Sequence, residues 1–587
     1  MAHFIFTWEN LRYSVTERQS SIWKQTKRKK VIIDGVSGSA ISGCVIAIMG
    51  VSGSGKTSLL TLLSGQRKGK GVLKINGRAI SGKMLRSNSA FVQQKDIFIE
   101  TLTVYEHITF MAAMSLNQAH SARVLVVHKL LKDFNIENLM YTKIQYLSSG
   151  EKRKLSLASN LLSDPCILFC DEPTTGLDSF SAISVVRILE TVAVSGKIVF
   201  LTVHQPSSQL FESFDNIILL STNGKVVFQG SPENARAFFE NQFLYCPTAY
   251  NPAEFYIKNI AVKSSSDEGR IDHMVEVFKE EYAVKFNFSD IEYDGLLLKQ
   301  RDTEKSFVFA LGWLTWRILI DMKRNFKQYS VTFLLIIITA FIIGLTYSSI
   351  SLNEGSSVQS IQGALLLIVS ELIFNGMYQV IFMFPSEVEL FIQEKNMYSA
   401  LPYFVSKIVS LIPFAFVHSL GFLAAYFICL HFLAGVHLFT YMYLILVGAS
   451  LGGSALGLCL SALFPSIEAV HLFIVPLELL CLLLSGLWIK VNSLSKFFSV
   501  VKYLSPFYIS YESICIIYWI KLDGVDLCTN VRDIACFHNG TEVLRNYGFT
   551  PSYDKVYSNL IYLMILICVY CYIGYIGILR KRALYHV

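Results

Sequence analysis

The stretch VIAIMGVSGSGKTSLL carries the pattern G-x-x-x-x-G-K-[ST], with Gly50, Ser52, Gly53, Ser54, Gly55, Lys56, Thr57 and Ser58 inside it. Glycines at these places let backbone N–H groups curl around phosphate oxygens. The apolar run Val45–Met49 before them reads as a buried strand, and the helix from Ser58 onward points its positive end at the same anion. Lys56 is placed to reach β- and γ-phosphates, and Thr57 to bind Mg²⁺. Further on, CILFCDEPTTGLDS ends an apolar strand, Ile167–Cys170, in Asp171 and Glu172. Carboxylates at that place divide the work: Asp171 holds the metal shell, and Glu172 polarises the attacking water as general base. Between the two, YLSSGEKRKLSLA opens a helix with Ser148, Ser149, Gly150 and Glu151, which reads as a second anion-binding helix start. One nucleotide needs one phosphate loop, so the spare helix start implies contact with a nucleotide held by another copy.

These motifs fill only the first part of a 587-residue chain, which is too long for one compact domain. Hydrophobic residues make up 52% and charged residues 16%, against about a quarter in soluble proteins, so part of the chain belongs in lipid. The net charge of +7 does not point to nucleic acid, and the cluster Lys27, Arg28, Lys29, Lys30 reads as a solvated cytoplasmic loop. The N-terminus lacks an apolar core with a cleavage site, so no signal peptide is expected. From about residue 330 come six long apolar runs: Val331–Tyr347, Ile361–Pro385, Val405–Leu433, Leu438–Phe464, Ala469–Ile489 and Tyr557–Leu579. Each is long enough to cross a hydrocarbon layer of about 30 Å, and backbone groups in lipid must bond internally, so six helices are expected. An even count puts both chain ends on one side. That side is cytosolic if the first half uses ATP, and Arg317, Lys323, Arg324, Lys327, Arg580, Lys581 and Arg582 flank the spans accordingly.

The predicted organisation is therefore an α/β ATPase domain over 1–260, a polar linker over 261–310, an amphipathic connecting helix over 311–330 at the membrane surface, and an all-α six-span domain over 331–587 with an external loop at 490–556.

Five stretches in order, GVSGSGKTS, LSSGE, ILFCDE, GLDS and TVHQPS, resemble the ATP-binding cassette superfamily. The domain order, NPAEFYI before the linker, FPSEVELFIQEKNMYSALPYF after the second span and the long loop before the last span are similar to the G subfamily of half-transporters, White-type pigment-precursor carriers in particular. The resemblance implies a fold, a P-loop ATPase of the ABC type joined to a membrane domain, and the cofactors ATP and Mg²⁺. It implies that Gln94 approaches the Mg²⁺ and faces the membrane domain, that His204 is the switch histidine near the γ-phosphate, and that Asp178 bridges two ATPase domains. It also implies a dimer, homo- or heteromeric, whose two ATPase domains sandwich two nucleotides head to tail, each site using one chain's phosphate loop and the other's signature. Ser149 and Glu151 depart from the common LSGGQ signature, with Gly150 kept and both sites expected to stay competent. For an adenine-stacking aromatic, Trp8 and Tyr13 are the candidates.

In the membrane half, Glu371 and Glu478 lie inside predicted spans, where an ionisable group faces a cavity or a partner. The resemblance places Asn375 and Tyr378 near a central cavity and puts Leu487 and Trp488 where relatives carry a leucine plug. Of twelve cysteines, Cys528 and Cys536 fall in the external loop and could form a disulfide within the chain or with a partner. Asn539-Gly540-Thr541 in that loop is a glycosylation sequon, whereas the sequon at Asn287 falls on the cytosolic side and should stay bare. The expected activity is ATP-dependent export of a small amphipathic or lipid-like molecule, such as a pigment precursor, sterol, lipid or xenobiotic. It would take place across the bilayer of the plasma membrane or an organelle. An ATP-gated channel or regulator would use the same ATPase motifs, and a soluble ATPase of translation or repair is excluded by the spans.

Overall fold

The computed structural model describes residues 4–21, 24–262, 265–281, 305–348, 355–394, 397–429, 436–521 and 537–584. The chain divides into two compact units, Met1–Glu304 and Lys305–Tyr585.

The first unit holds two sheets. One pairs β2 (Lys24–Ile41), β1 (Ile5–Ser21), β4 (Lys70–Ile75) and β5 (Arg78–Ala79), all antiparallel. The basic run Lys27–Lys30 lies in β2, with Lys30 opposite Val15 and Lys27 opposite Arg18, so it is ladder and not the loop expected from composition. The other sheet has the order β10 (Val226–Gly230), β9 (Asn216–Leu220), β3 (Val45–Gly50), β8 (Ile198–Thr202), β7 (Ile167–Cys170) and β6 (Ser89–Val92). From β9 to β6 every neighbour is parallel. β3, β7 and β8 are buried at every position, as their unbroken apolar sequences require of strands covered on both faces. Phe169 stacks on Phe200 at 5.3 Å, and Trp8 meets Phe200 edge-on at 5.8 Å, which ties the two sheets together. Trp8 is 1% exposed and so is a core residue and not an adenine platform. Tyr13 is half-buried and already carries the Arg67 guanidinium 5.6 Å above its ring.

The second unit is helical. Among the described residues, five helices are long and apolar enough to cross a membrane: Phe326–Tyr347, Ser357–Gln393, Ala400–Cys429, Val436–Leu463 and Tyr553–Ala583. The remaining predicted span, 469–489, is shorter than expected. Its helix is Ile467–Leu483, and the chain turns at Gly486 with φ 101°, so SGLW lies beyond the helix. Seventeen residues at about 1.5 Å each reach roughly 25 Å, less than the hydrocarbon thickness. The predicted external loop 490–556 contains a helix, Pro506–Lys521, with all but three of its sixteen residues buried. Too short for a span, it was indistinguishable from a loop by length, yet it packs into the same core as the spans through Phe507, Tyr511, Ile514 and Trp519. Close helix contact comes from small residues. A Cβ on Gly453 would meet the Ile373 carbonyl oxygen at 2.2 Å, which only glycine avoids.

The connecting helix is Phe307–Arg324, and Asn325 breaks it before the first span begins at Phe326. Residues 326–330 therefore belong to the span. The connecting helix's buried stripe is Ala310, Leu314 and Arg317. Arg317, expected among the flanking surface cations, is 4% exposed and bonds Glu394 Oε1 at 2.5 Å, with the Tyr398 hydroxyl donating to the same carboxylate. A second pair follows: buried Lys407 sits 2.6 Å from half-buried Glu387, which also accepts from Tyr403 at 3.1 Å.

Removing one partner of such a pair strands the other. Arg317→Ala is expected to cost about 3 kcal/mol or more, and the Arg317→Ala/Glu394→Ala double variant to melt above the single one. Thermal unfolding of the purified chain checks both.

Candidate functional site

A parallel sheet ends all its strands on one side, and that edge is where its ligands bind. β3 runs into the phosphate loop, β6 into Gln94, β7 into Asp171 and β8 toward His204, and the ladders place these ends side by side. Gly53 and Gly55 take φ of 83° and 96°, which turn the loop ahead of the helix Lys56–Leu63. Lys56 is 6% exposed, and its ammonium donates to the Gly50 and Val51 carbonyls at 3.0 and 3.2 Å. Burial lowers its pKa, while Glu172 and Asp171 pull the other way. Ser54 Oγ is buried with no partner among the described residues, an orphaned donor inside the loop. Ser52, Gly53 and Thr57 lie exposed and Ser58 half-exposed.

Asp171 is the hub. Its Oδ1 accepts from Thr57 Oγ1 at 3.0 Å and from Thr202 Oγ1 at 2.7 Å. Burial raises its pKa, opposed by these two hydroxyls. Glu172 sits beside it with φ 45°, a left-handed backbone that L-residues other than glycine avoid. Its Oε2 accepts from Gln94 Nε2 at 2.8 Å and Thr175 Oγ1 at 3.0 Å. Thr57, Lys56, Asp171, Glu172 and Gln94 are thus one cluster. His204 is exposed two residues past β8, on the same edge. The hydroxyl of Thr57, the carboxylate of Asp171 and the amide oxygen of Gln94 are the hard donors that Mg²⁺ takes, and Ser54 and the loop amides are donors for phosphate, so the residues fit both groups.

The signature residues form a separate centre. Ser148 caps the helix Ser149–Leu161, and Glu151 closes a capping box, accepting from Ser148 N and Oγ at 2.8 Å. Glu in the last signature place is thereby explained by helix chemistry. Gly150 is buried, and a Cβ there would meet Ser181 Cβ and Oγ at 3.0 Å. Ser181 in turn donates its N–H to Asp178, which caps the helix Ser179–Val194. The signature and Asp178 are therefore neighbours on one surface. Tyr146 is 71% and Phe180 82% exposed on that surface.

Three residues that sequence reasoning missed hold these parts. Arg153, 4% exposed, reaches from the signature helix to the Gln93 and Gln94 carbonyls at 2.8 and 2.5 Å and to Asp96 at 2.9 Å. Burial pushes the Asp96 carboxyl up while Arg153 pulls it down. Thr175 and Thr202 are the others. An arginine on the buried face of an amphipathic helix and a threonine inside the apolar run IVFLT were the available signals.

In the membrane unit the four candidates separate. Asn375 Oδ1 lies 3.2 Å from His418 Nδ1. Tyr378 donates to Glu478 Oε2 at 3.0 Å, and Glu478 Oε1 is buried without a partner among the described residues. Leu487 packs on the helical core, and Trp488 is 70% exposed. Glu371 is half-buried, and His418 was not foreseen. Asn539 is exposed at the start of the helix Gly540–Tyr547 and makes no side-chain cap bond. Cys528, Cys536 and Asn287 lie outside the described residues.

Residues 33–175 match the ABC transporter family, and residues 310–519 and 204–282 match two ABC-2 type transporter families. Protein scarlet of Drosophila melanogaster is 33% identical, the alignment covering 94% of this chain and 87% of scarlet. Protein white of the same organism is 30% identical, over 94% of this chain and 84% of white. ABC transporter G family member 7 of Arabidopsis thaliana is 30% identical, over 87% of this chain and 73% of that protein. An ATPase unit that precedes a bundle of membrane helices, the five ordered motifs and this near-full-length similarity lead to one conclusion: the chain belongs to the White-type G family of ABC half-transporters, which couple ATP hydrolysis to transport across a membrane.

Proposed function

We propose that this chain is one half of a dimeric exporter, homo- or heteromeric, that moves a small amphipathic or lipid-like molecule out of the cytosol. The observation that carries the reading is the separation of two half-sites in one ATPase unit. Thr57 bonds Asp171 beside Lys56 and Glu172, whereas Ser148 and Ser149 stand exposed at another helix start, Ser148 bonded to Glu151. A second copy would bring its signature to this phosphate loop. The exposed Tyr146 and Phe180 beside Ser148 and Asp178 supply apolar area for it to cover.

Thr57, Asp171 and Gln94 would hold Mg²⁺, which when bound neutralises charge on the phosphates. Glu172 would take the proton of the attacking water, with its carboxylate oriented by Gln94 and Thr175. His204 would stand near the γ-phosphate. The substrate would pass Asn375, Tyr378 and Glu478, polar groups that lipid contact would penalise, with Leu487 and Trp488 above them. Both chain ends would lie in the cytosol, and segment 490–556 outside it, in the plasma membrane or an organelle membrane.

Sealed vesicles holding the assembly are expected to accumulate substrate uphill only with ATP; purely downhill flux would make it a gate. Glu172→Gln is expected to cut turnover by a hundredfold or more, on the order expected of a lost general base, with ATP binding intact. Normal turnover in that variant removes Glu172 from its role. Asn539→Gln is expected to abolish a glycosidase-sensitive mass shift in protein made through the secretory pathway. An unglycosylated native chain would put Asn539 on the other side or out of the enzyme's reach.

A further inference from the structure

β8 reads IVFLT: four apolar residues and then one hydroxyl, Thr202, which is 0% exposed. A valine would suit so apolar a strand end equally well by shape, so the hydroxyl calls for a reason. Its single hydrogen goes to Asp171 Oδ1 at 2.7 Å, and its oxygen accepts the Glu172 N–H, also at 2.7 Å. One hydroxyl therefore bonds the side chain of one acidic residue and the backbone of the next. Glu172 is also the residue held at φ 45°. A strained peptide of this kind persists only where its surroundings over-determine it. Here the Thr202 bond fixes its N–H, and the Thr175 N–H bonds its carbonyl at 3.2 Å. Gln94 and Thr175 then orient the carboxylate that this backbone presents.

We infer that Thr202 is a positioning residue for ATP hydrolysis: its buried hydroxyl couples the aim of Asp171 to the strained backbone that presents Glu172. The inference rests on the reading of Glu172 as the base. It accounts for two features at once, the left-handed turn and the double acceptance at Asp171 Oδ1, which Thr57 shares at 3.0 Å. Without the Thr202 hydroxyl, Asp171 keeps Thr57 alone as a side-chain donor among the described residues, and the Glu172 N–H loses its acceptor.

The test uses the full-length chain in its assembled form. Thr202→Val keeps the shape and removes the hydroxyl, and Thr202→Ser keeps the hydroxyl. Thr202→Val is expected to lower kcat for ATP about tenfold or more, as lost outer-shell support does, with KM within about twofold. Thr202→Ser is expected to restore most of kcat. Apart from activity, Mn²⁺ affinity measured by electron paramagnetic resonance with ADP present is expected to weaken severalfold in the Val variant and not in the Ser variant. In a Glu172→Gln background, Thr202→Val is expected to reduce the residual turnover no further. Wild-type kcat in a folded Val variant overturns the inference. So does a Ser variant as slow as Val, or an undiminished Val effect without Glu172. If the Val variant does not fold, Thr202→Ala is held to the same criteria. Normal turnover in Glu172→Gln alone would instead sink the assignment of the base and leave the Mn²⁺ result to judge Thr202's hold on Asp171.

Discussion

Parallel pairing of β3, β8, β7 and β6 is the constraint on which the ATPase unit depends. Parallel strands must all finish on the same side, and here four finish in chemistry: a phosphate loop, a histidine turn, a pair of carboxylates and a glutamine. The pairing is held by strands buried on both faces, and the polar groups begin where that burial stops. Asp171 stands at the boundary, still 7% exposed, and so it must be bonded by hydroxyls from two other segments.

The same rule shapes the membrane unit with different material. Lipid offers no hydrogen bonds, so polar side chains there find each other. Arg317 with Glu394 and Tyr398, Lys407 with the half-buried Glu387 and Tyr403, and Gln362 with Tyr511 are examples. Such pairs gain little net stability over apolar packing but punish the loss of either member, which fixes helix register. The first joins the connecting helix to the segment just after the second span, and the second joins the second span to the third.

Much of this was legible in residue order. Asp171 and Glu172 were readable because they end an apolar run at a fixed distance from a glycine-rich loop, and spacing is a property of the chain. Arg153 and Thr202 were not, because what they do is reach another segment: Arg153 spans to residues 93–96 and Thr202 to 171 and 172. Helical spacing puts Arg153 on the stripe of Gly150, Leu157 and Leu161, but nothing local says which carbonyls it bonds. Arg317 shows the error this invites, since its position before a span reads as a surface cation. The helix Pro506–Lys521 shows another, because hydropathy counts length and cannot see burial by neighbours.

By itself the sequence determined that the chain cleaves nucleotide and lives in a membrane. Backbone amides around phosphate and unbroken apolar length act locally and leave periodic traces. Only the tertiary structure decided that Trp8 is core, and that Asn375 meets His418 while Tyr378 meets Glu478. Those outcomes depend on which surfaces pack together, and packing joins residues as much as a hundred positions apart, as Tyr378 and Glu478 are, where no local pattern records the choice.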